Sequence, residues 1–449
     1  MVEYTDKVKT GVSWLPQIPA HWELKKIDAL FTERKTKVSD KDYSPLSVTK
    51  RGILPQLEHA AKSNDSDNRK LVKTGDFVIN SRSDRKGSCG VSPYDGSVSL
   101  INIVLTPRNE LNNDFVHYLL RNYRFSEEYY RNGRGIVADL WTTRYSEMRT
   151  ILLPVPPRDE QDQIVRFLDW KVSEINKLIG IRRKEIQELE ELKRSKISAV
   201  IMGQGNENKN AAAVSWVREV PDNWEERPLI QYAYERCVKN TGMIENNLLS
   251  LSYGKVIQKD INTTDGLLPT SFEGYQIVDP GNIILRLTDL QNDHKSLRTG
   301  LVTQKGIITS AYTCLEVRDG IVPEYLQLEL HVADLCKVFY GMGGGVRQSI
   351  GFKDIRRMII AIPPIAEQYK ILDTVHGIDT PIDKQIEKYH KMIAELEELK
   401  SVIIANAVTG KMDVREVDIP EYEHVDDIAD DEAEADEELE ETEFDGEEA

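Results

Sequence analysis

Pro156-Pro157-Arg158-Asp159-Glu160-Gln161-Asp162-Gln163-Ile164 opens a run that closes with Glu188-Leu189-Glu190-Glu191-Leu192-Lys193 and Gly203, and the run is written twice. Pro363-Pro364-Ile365-Ala366-Glu367-Gln368 opens the second copy, and Glu395-Leu396-Glu397-Glu398-Leu399-Lys400 with Gly410 closes it. The offset is 207 from the first proline to the last glycine, without insertion over about 48 residues. In the first copy Leu168, Val172, Ile175, Ile179, Arg182, Ile186 and Leu189 step alternately by four and three, the apolar seam of a coiled coil with one polar interruption. The second copy repeats the seam at Val375, Asp379, Ile382, Ile386, Tyr389, Ile393 and Leu396. Prolines stand where a helix can begin and a glycine where one commonly ends, so each run predicts a helix roughly 60 Å long at about 1.5 Å per residue. Such a seam has to be buried, and the partner of matching length is its own repeat.

The repeat extends beyond the helices. Val12-Ser13-Trp14 and Ile18-Pro19-Ala20-His21-Trp22-Glu23 return as Val214-Ser215-Trp216 and Val220-Pro221-Asp222-Asn223-Trp224-Glu225, now at an offset of 202. Each tryptophan pair flanking a proline predicts a clamp where the chain enters a domain. Residues 24–155 read as mixed, with a helix near Ile27–Thr32 and short strands between Gly, Pro and Asn-Asp clusters. Leu71 to Asn80, a turn at Gly75-Asp76 leading into a strand, is echoed by Ile277 to Leu285 at an offset of 206. Phe115-Val116-His117-Tyr118-Leu119-Leu120 is matched with Pro323-Glu324-Tyr325-Leu326-Gln327-Leu328 as a helix inside each domain. The fold class is α+β: two mixed domains at 1–155 and 206–362, two long antiparallel helices at 156–205 and 363–412 forming an intramolecular coiled coil, and a tail at 413–449.

Charge separates these parts. The chain of 449 residues carries a net charge of −17, but residues 413–449 hold 20 acidic residues and one basic residue, leaving 57 basic and 55 acidic elsewhere. Residues 1–155 hold 24 basic against 19 acidic residues. A basic first domain, a near-neutral body and an acidic tail differ from an acidic protein, and nucleic acid stays open as a partner. The tail, almost free of basic and aromatic residues, predicts disorder. The four cysteines form no CxxC pair, which argues against a zinc ribbon or a disulfide framework, and no stretch of 18 apolar residues suggests a membrane span. The chain reads as soluble and cytoplasmic.

After the Gly75-Asp76 strand comes Ser81-Arg82-Ser83-Asp84-Arg85-Lys86, whose cations and short polar side chains suit phosphate and base-edge contacts. Its second-copy place is Arg286-Leu287-Thr288-Asp289. Arg134 in Arg131-Asn132-Gly133-Arg134-Gly135, and Arg347-Gln348 behind the Gly341–Gly345 cluster, are further candidates, because glycine admits close backbone approach while Arg and Gln read base edges. Lys50 and Arg51 complete the DNA-binding set. The glycine cluster lacks the following Lys-Ser/Thr of a phosphate loop, and HExxH, GxSxG and an Asn/Asp-Pro-Pro-aromatic tetrad are all missing. No catalytic centre and no metal site is expected.

The duplicated Pro-Pro-x-x-Glu-Gln opening, the Glu-Leu-Glu-Glu-Leu-Lys helix end, Ala407-Val408-Thr409-Gly410-Lys411 and the strand Gly75 to Ser83 together resemble the specificity subunit of type I restriction–modification systems over roughly residues 12–412. The resemblance implies two target-recognition domains reading the halves of an asymmetric bipartite site in double-stranded DNA, with the helices as a ruler between them. It also implies that two modification (methyltransferase) subunits and a restriction (motor-nuclease) subunit join the complex. S-adenosylmethionine, ATP and Mg2+ would then reside on those partners, with no cofactor on this chain. The acidic tail departs from the family pattern. A coiled-coil adaptor with two protein-binding domains is the alternative, and it would bind without the salt dependence of a DNA contact.

Overall fold

The computed structural model describes residues 3–56, 67–108, 110–135, 141–205, 208–252, 254–261, 271–288, 290, 297–342 and 350–426. It divides into two units: Met1–Glu185 with Lys388–Ala449, and Ile186–Glu387. The two long helices, Arg158–Ile201 and Ile365–Val408, are each 44 residues long and start directly behind the proline pairs. Both units therefore contain a stretch of each helix.

Within each unit the two stretches run antiparallel and pack together. In the first unit Lys400 Nζ lies 3.2 Å from Asn176 Oδ1, and Arg183 stands 3.7 Å from Glu397. In the second, Lys193 Nζ reaches Asp379 at 3.1 Å and Asp383 at 2.6 Å. Leu168, Ile175, Ile179 and Ile393 of the first unit and Ile186 and Val375 of the second are buried. Val172, Leu189, Ile382, Ile386, Tyr389 and Leu396 are half-buried, as on a two-stranded seam whose outer edge meets solvent. Arg182 and Tyr389, which occupy the same place in the two copies, meet each other, the guanidinium 5.3 Å from the ring centroid.

Each domain is built on a four-stranded antiparallel sheet. In the first unit the order is Cys89–Val91, Phe77–Asn80, Asn102–Pro107, Phe31–Glu33; in the second it is Thr299–Leu301, Ile283–Leu285, Thr313–Val317, Ala233–Arg236. The central strands are buried on both faces because their alternate residues serve two cores. Phe77 and Ile79 enter the main core with Phe115, Leu119 and Ile164, while Val78 joins Leu46, Val48, Val72, Val98 and Val104 behind the sheet. Ile283 and Leu285 likewise face the second unit's main core, and Ile284 faces Leu249, Val278, Ile308 and Cys314. Burial pushes the Cys89 thiol up to about 11 and the Cys314 thiol up to about 12, whereas Cys237 and Cys336 are exposed.

The repeated motif has a structural role in each unit. Trp22 Nε1 donates to Glu160 at 3.0 Å, joined by the Tyr4 hydroxyl, and His21 Nε2 lies 2.7 Å from the same carboxylate. Trp224 Nε1 donates to Glu367 at 3.0 Å, as does Asn223 at 2.8 Å. Gln161 accepts the Asn112 N–H and donates to Pro156 O; Gln368 accepts the Val322 N–H and donates to Pro363 O. The glycines that end the long helices, Gly203 and Gly410, both have φ of 68°. A Cβ at Gly203 would stand 2.6 Å from Pro221 Cγ, and one at Gly410 would overlap Pro19 Cδ, so the left-handed turn and the close approach both demand glycine.

Two expectations need correction. The domain helices Asn113–Arg121 and Pro323–Leu335 correspond at an offset of 210, since Asn112 and Val322 take the same glutamine contact; the sequence match was two residues out of register. A tail beginning at Asp413 is also too early. Val414 is fully buried, Val417 and Ile419 pack on the first core, and contacts continue to Val425 because the side chain of Asn176 donates to its carbonyl. The remainder of the tail, 427–449, lies outside the described residues.

Candidate nucleic-acid interface

In the first unit the strand Phe77–Asn80 delivers its C-terminal end to a lip made of three chain segments. Asn80 Oδ1 accepts the Arg82 N–H at 3.0 Å and turns the chain into the short 3-10 helix Ser83–Arg85. Arg82 and Arg134 both bridge to Thr142, the Arg134 N–H reaching Thr142 O at 2.8 Å. Ser81 O accepts the Thr143 N–H at 2.8 Å, and the Ser83 N–H reaches Trp141 O at 3.1 Å. Beneath the lip, the Tyr129 hydroxyl donates to Thr143 O at 2.9 Å and the Tyr130 hydroxyl to Arg85 O at 3.1 Å. Two runs about 50 residues apart in sequence thus become one surface.

The hairpin Leu46–Thr49 with Gly52–Pro55 adds the third segment. A Cβ at Gly90 would stand 3.1 Å from Gly52 Cα, so glycine lets the hairpin approach the sheet edge. Arg121 donates from its guanidinium to Lys50 O and holds the turn. Lys50, Arg51, Lys86 and Arg134 are exposed, Arg82 and Arg85 half-buried, and Ser81 buried. Arg82 Nε is 3.6 Å from Asp84, and Lys86 pairs with Glu127. Cations of this kind, on a backbone held from below, have the chemistry that contacts phosphate and base edges.

The second unit reuses the scaffold with another lip. The Arg286 N–H donates to Arg298 O at 2.8 Å, the counterpart of the Asn80 N–H donating to Ser88 O at 3.0 Å, so Arg286 stands in the place of Asn80 rather than Arg82. Arg298 was not singled out in the sequence. It is fully buried, donates to Arg286 O at 3.1 Å and Thr288 O at 2.8 Å, and lies 5.3 Å from the Tyr340 ring centroid. Its own N–H is taken by Asp334 at 2.9 Å. Ser-Leu-Arg-Thr reads as surface in one dimension, and nothing local signals that this guanidinium braces a loop. Arg286 and Thr288 are half-buried, while Asp289, Arg347 and Gln348 lie outside the described residues. Among the described residues no His, Cys, Asp and Glu cluster could hold a metal ion, and no helix is long and apolar enough to cross a membrane.

Comparison with known proteins gives a class and then a neighbour. No protein-family model matches the chain. A chain solved in work on complex assembly and conformational transition of the type I R–M system superposes with a TM-score of 0.60 at 15% identity, covering 88% of this chain and 99% of that one. The HsdS subunit of Thermoanaerobacter tengcongensis aligns over 88% of this chain at 15% identity with a TM-score of 0.41. At a TM-score of 0.60 this chain shares the fold of the chain from the type I R–M system. In sequence it is 22% identical over 426 residues, 89% of this chain and 95% of the other, to a Methanocaldococcus jannaschii protein provisionally described as the type I restriction enzyme MjaX specificity subunit. The likeness carried by the duplicated motifs thus holds over most of the length.

Proposed function

We propose that this chain is the non-catalytic DNA-recognition subunit of a type I restriction–modification complex in the cytoplasm. On this reading, residues 1–155 and 206–362 are the target-recognition domains, 156–205 and 363–412 the spacing helices, and the acidic run beyond Asp426 the tail. The observation that carries the reading is the first unit's lip, where Arg82, Arg85, Lys86 and Arg134 share one bridged surface beside the Lys50-Arg51 turn. One scaffold with two different lips suits an asymmetric site of two specified halves. Duplicated helices suit two copies of a modification subunit, and a restriction subunit completes the assembly. S-adenosylmethionine, ATP and Mg2+ are the partners' reagents.

The test is base-resolved methylation sequencing of a methylation-free host that carries this chain with the methyltransferase subunit encoded beside it. The expected result is one new asymmetric motif, adenine-methylated, with two short halves around a fixed gap. Soluble, associated subunits that leave the genome unmodified would overturn the reading.

A further inference from the structure

Residues 413–426 lie as a strap along the first long helix, within the first unit, turning once at Arg415-Glu416, and side chains of that helix hold them. Gln163 Nε2 donates to Val414 O at 3.0 Å and to Val417 O at 2.9 Å. Ser173 Oγ lies 3.4 Å from His424 Nδ1, and Lys177 pairs with Glu423 at 3.0 Å. Asn176 Nδ2 donates to Val425 O at 3.0 Å while its Oδ1 faces Lys400 Nζ at 3.2 Å. Ser173 and Asn176 are only 2% and 3% exposed, a burial that polar helix residues tolerate when hydrogen-bonded.

Among the described residues, the second helix, 207 residues on, carries no such strap contact. Gln163 is replaced by Lys370, Phe167 by Thr374, Ser173 by Thr380 and Asn176 by Asp383. Phe167 is buried in the core on which Val417 and Ile419 pack, whereas Lys370, Thr374 and Thr380 are exposed. The Asn176–Asp383 exchange is informative. Lys400 and Lys193 are also equivalents, and Lys193 pairs with Asp383 at 2.6 Å as Lys400 meets Asn176. A carboxylate serves the lysine as well as an amide does, but only an amide can also donate to a strap carbonyl. At the start of that helix, which no strap covers among the described residues, Ile365 and Tyr369 are 42% and 57% exposed.

We infer that the strap is a built-in cover that makes two otherwise like docking faces unlike, so that two copies of one modification subunit bind in order, the uncovered face of the second unit first. This rests on the proposed docking of two such subunits on the long helices. The second copy binds only when the strap leaves its seat, and the cost of that release lowers its apparent affinity.

The experiment compares the full chain with the double variant Gln163→Lys, Asn176→Asp, which installs the second unit's residues at the seat. A chain ending at Asp426, which keeps the strap and removes the acidic run, is the third sample. Strap release is read without any partner, as cleavage by a Glu-specific protease at Glu416, Glu421 and Glu423. Partner binding is read by native mass spectrometry during titration with the methyltransferase subunit. The full chain and the chain ending at Asp426 should resist cleavage and take up two copies with intrinsic dissociation constants about tenfold apart. The double variant should be cleaved readily and bind two copies equally. Equal binding by all three, despite released cleavage in the variant, would overturn the ordering, as would an effect that follows the acidic run. Failure of all three to bind any copy would overturn the docking reading itself.

Discussion

The two units share one plan, and they differ most where the plan has to do something. Leu119 and Glu329 occupy the same turn of the domain helix, at the offset of 210 fixed by the glutamine contacts, and both are 2% exposed. One unit places a leucine in its core there and the other a carboxyl group. Burial raises the Glu329 pKa to about 8, opposed by a backbone hydrogen bond from Ala361. The same contrast runs through Ser88 against Arg298 at the lips and Asn176 against Asp383 on the helices. A duplicated scaffold tolerates polar replacement at matched positions when a local partner is supplied, and each replacement gives one unit a property that its twin lacks.

The largest effect that separates the units should come from the seam. Ile179→Asp puts an unpaired charge at a position 4% exposed and should cost about 4 kcal/mol or more, whereas Ile386→Asp on a half-buried position should cost about half as much. Hydrogen exchange resolved to each unit measures both, and equal losses would remove the seam asymmetry. Next comes pH. Because folded Glu329 titrates near 8 rather than 4.5, the folded unit keeps a proton that the unfolded chain releases; stability is full below pH 4.5 and falls until about pH 8. At about 1.4 kcal/mol per pKa unit the fall is of the order of 5 kcal/mol, confined to the second unit. Glu329→Gln should flatten that slope in pH-dependent unfolding, and Leu119→Glu should bring a similar one to the first unit; an unchanged slope in the first variant refutes the assignment.

The lead-in clamps differ by less. Glu160→Ala strands Trp22 and Tyr4 together and should cost about 3 kcal/mol, against about 1 kcal/mol for Glu367→Ala, whose carboxylate is only half-buried. Denaturant midpoints of the two variants check the order. At the lip the two units are separated by DNA affinity rather than by stability. Arg85→Ala should lose about 1–3 kcal/mol of DNA affinity and relax one half-site only, read from methylated motifs in the host. Relaxation of both halves would make Arg85 a phosphate contact.

What could be read in advance follows from how the repeat diverged. The long helices kept their spacing because an inserted residue would rotate every later side chain off the seam, so an offset of 207 and a period of 3.5 survive in one dimension. The domains drifted from an offset of 202 at the tryptophans to 206 at the central strand and 210 at the domain helix, since loops absorb insertions freely. That drift hid the register of the domain helix, whereas the offset of 206 at the central strand already sets Arg286 opposite Asn80. Glu160 and Gln161 were legible as a motif but not as a clamp and a cap, because their partners lie 138 and 49 residues away. Arg298 was illegible for the same reason: its brace consists of backbone carbonyls that only folding assembles. The strap was obscured by averaging charge over 413–449, when Val414, Val417 and Ile419 already mark an apolar foot.

The distribution of thiols has a practical outcome for separating the two halves in the laboratory. Cys89 and Cys314 sit in different units with their sulfhydryls protonated and shielded, while Cys237 and Cys336 are open. Blocking the two open sites on the native chain leaves one silent reporter in each half. A pulse of alkylating reagent, followed by peptide mapping, would then date the opening of each half on its own clock, with no engineered label and no change to the sequence.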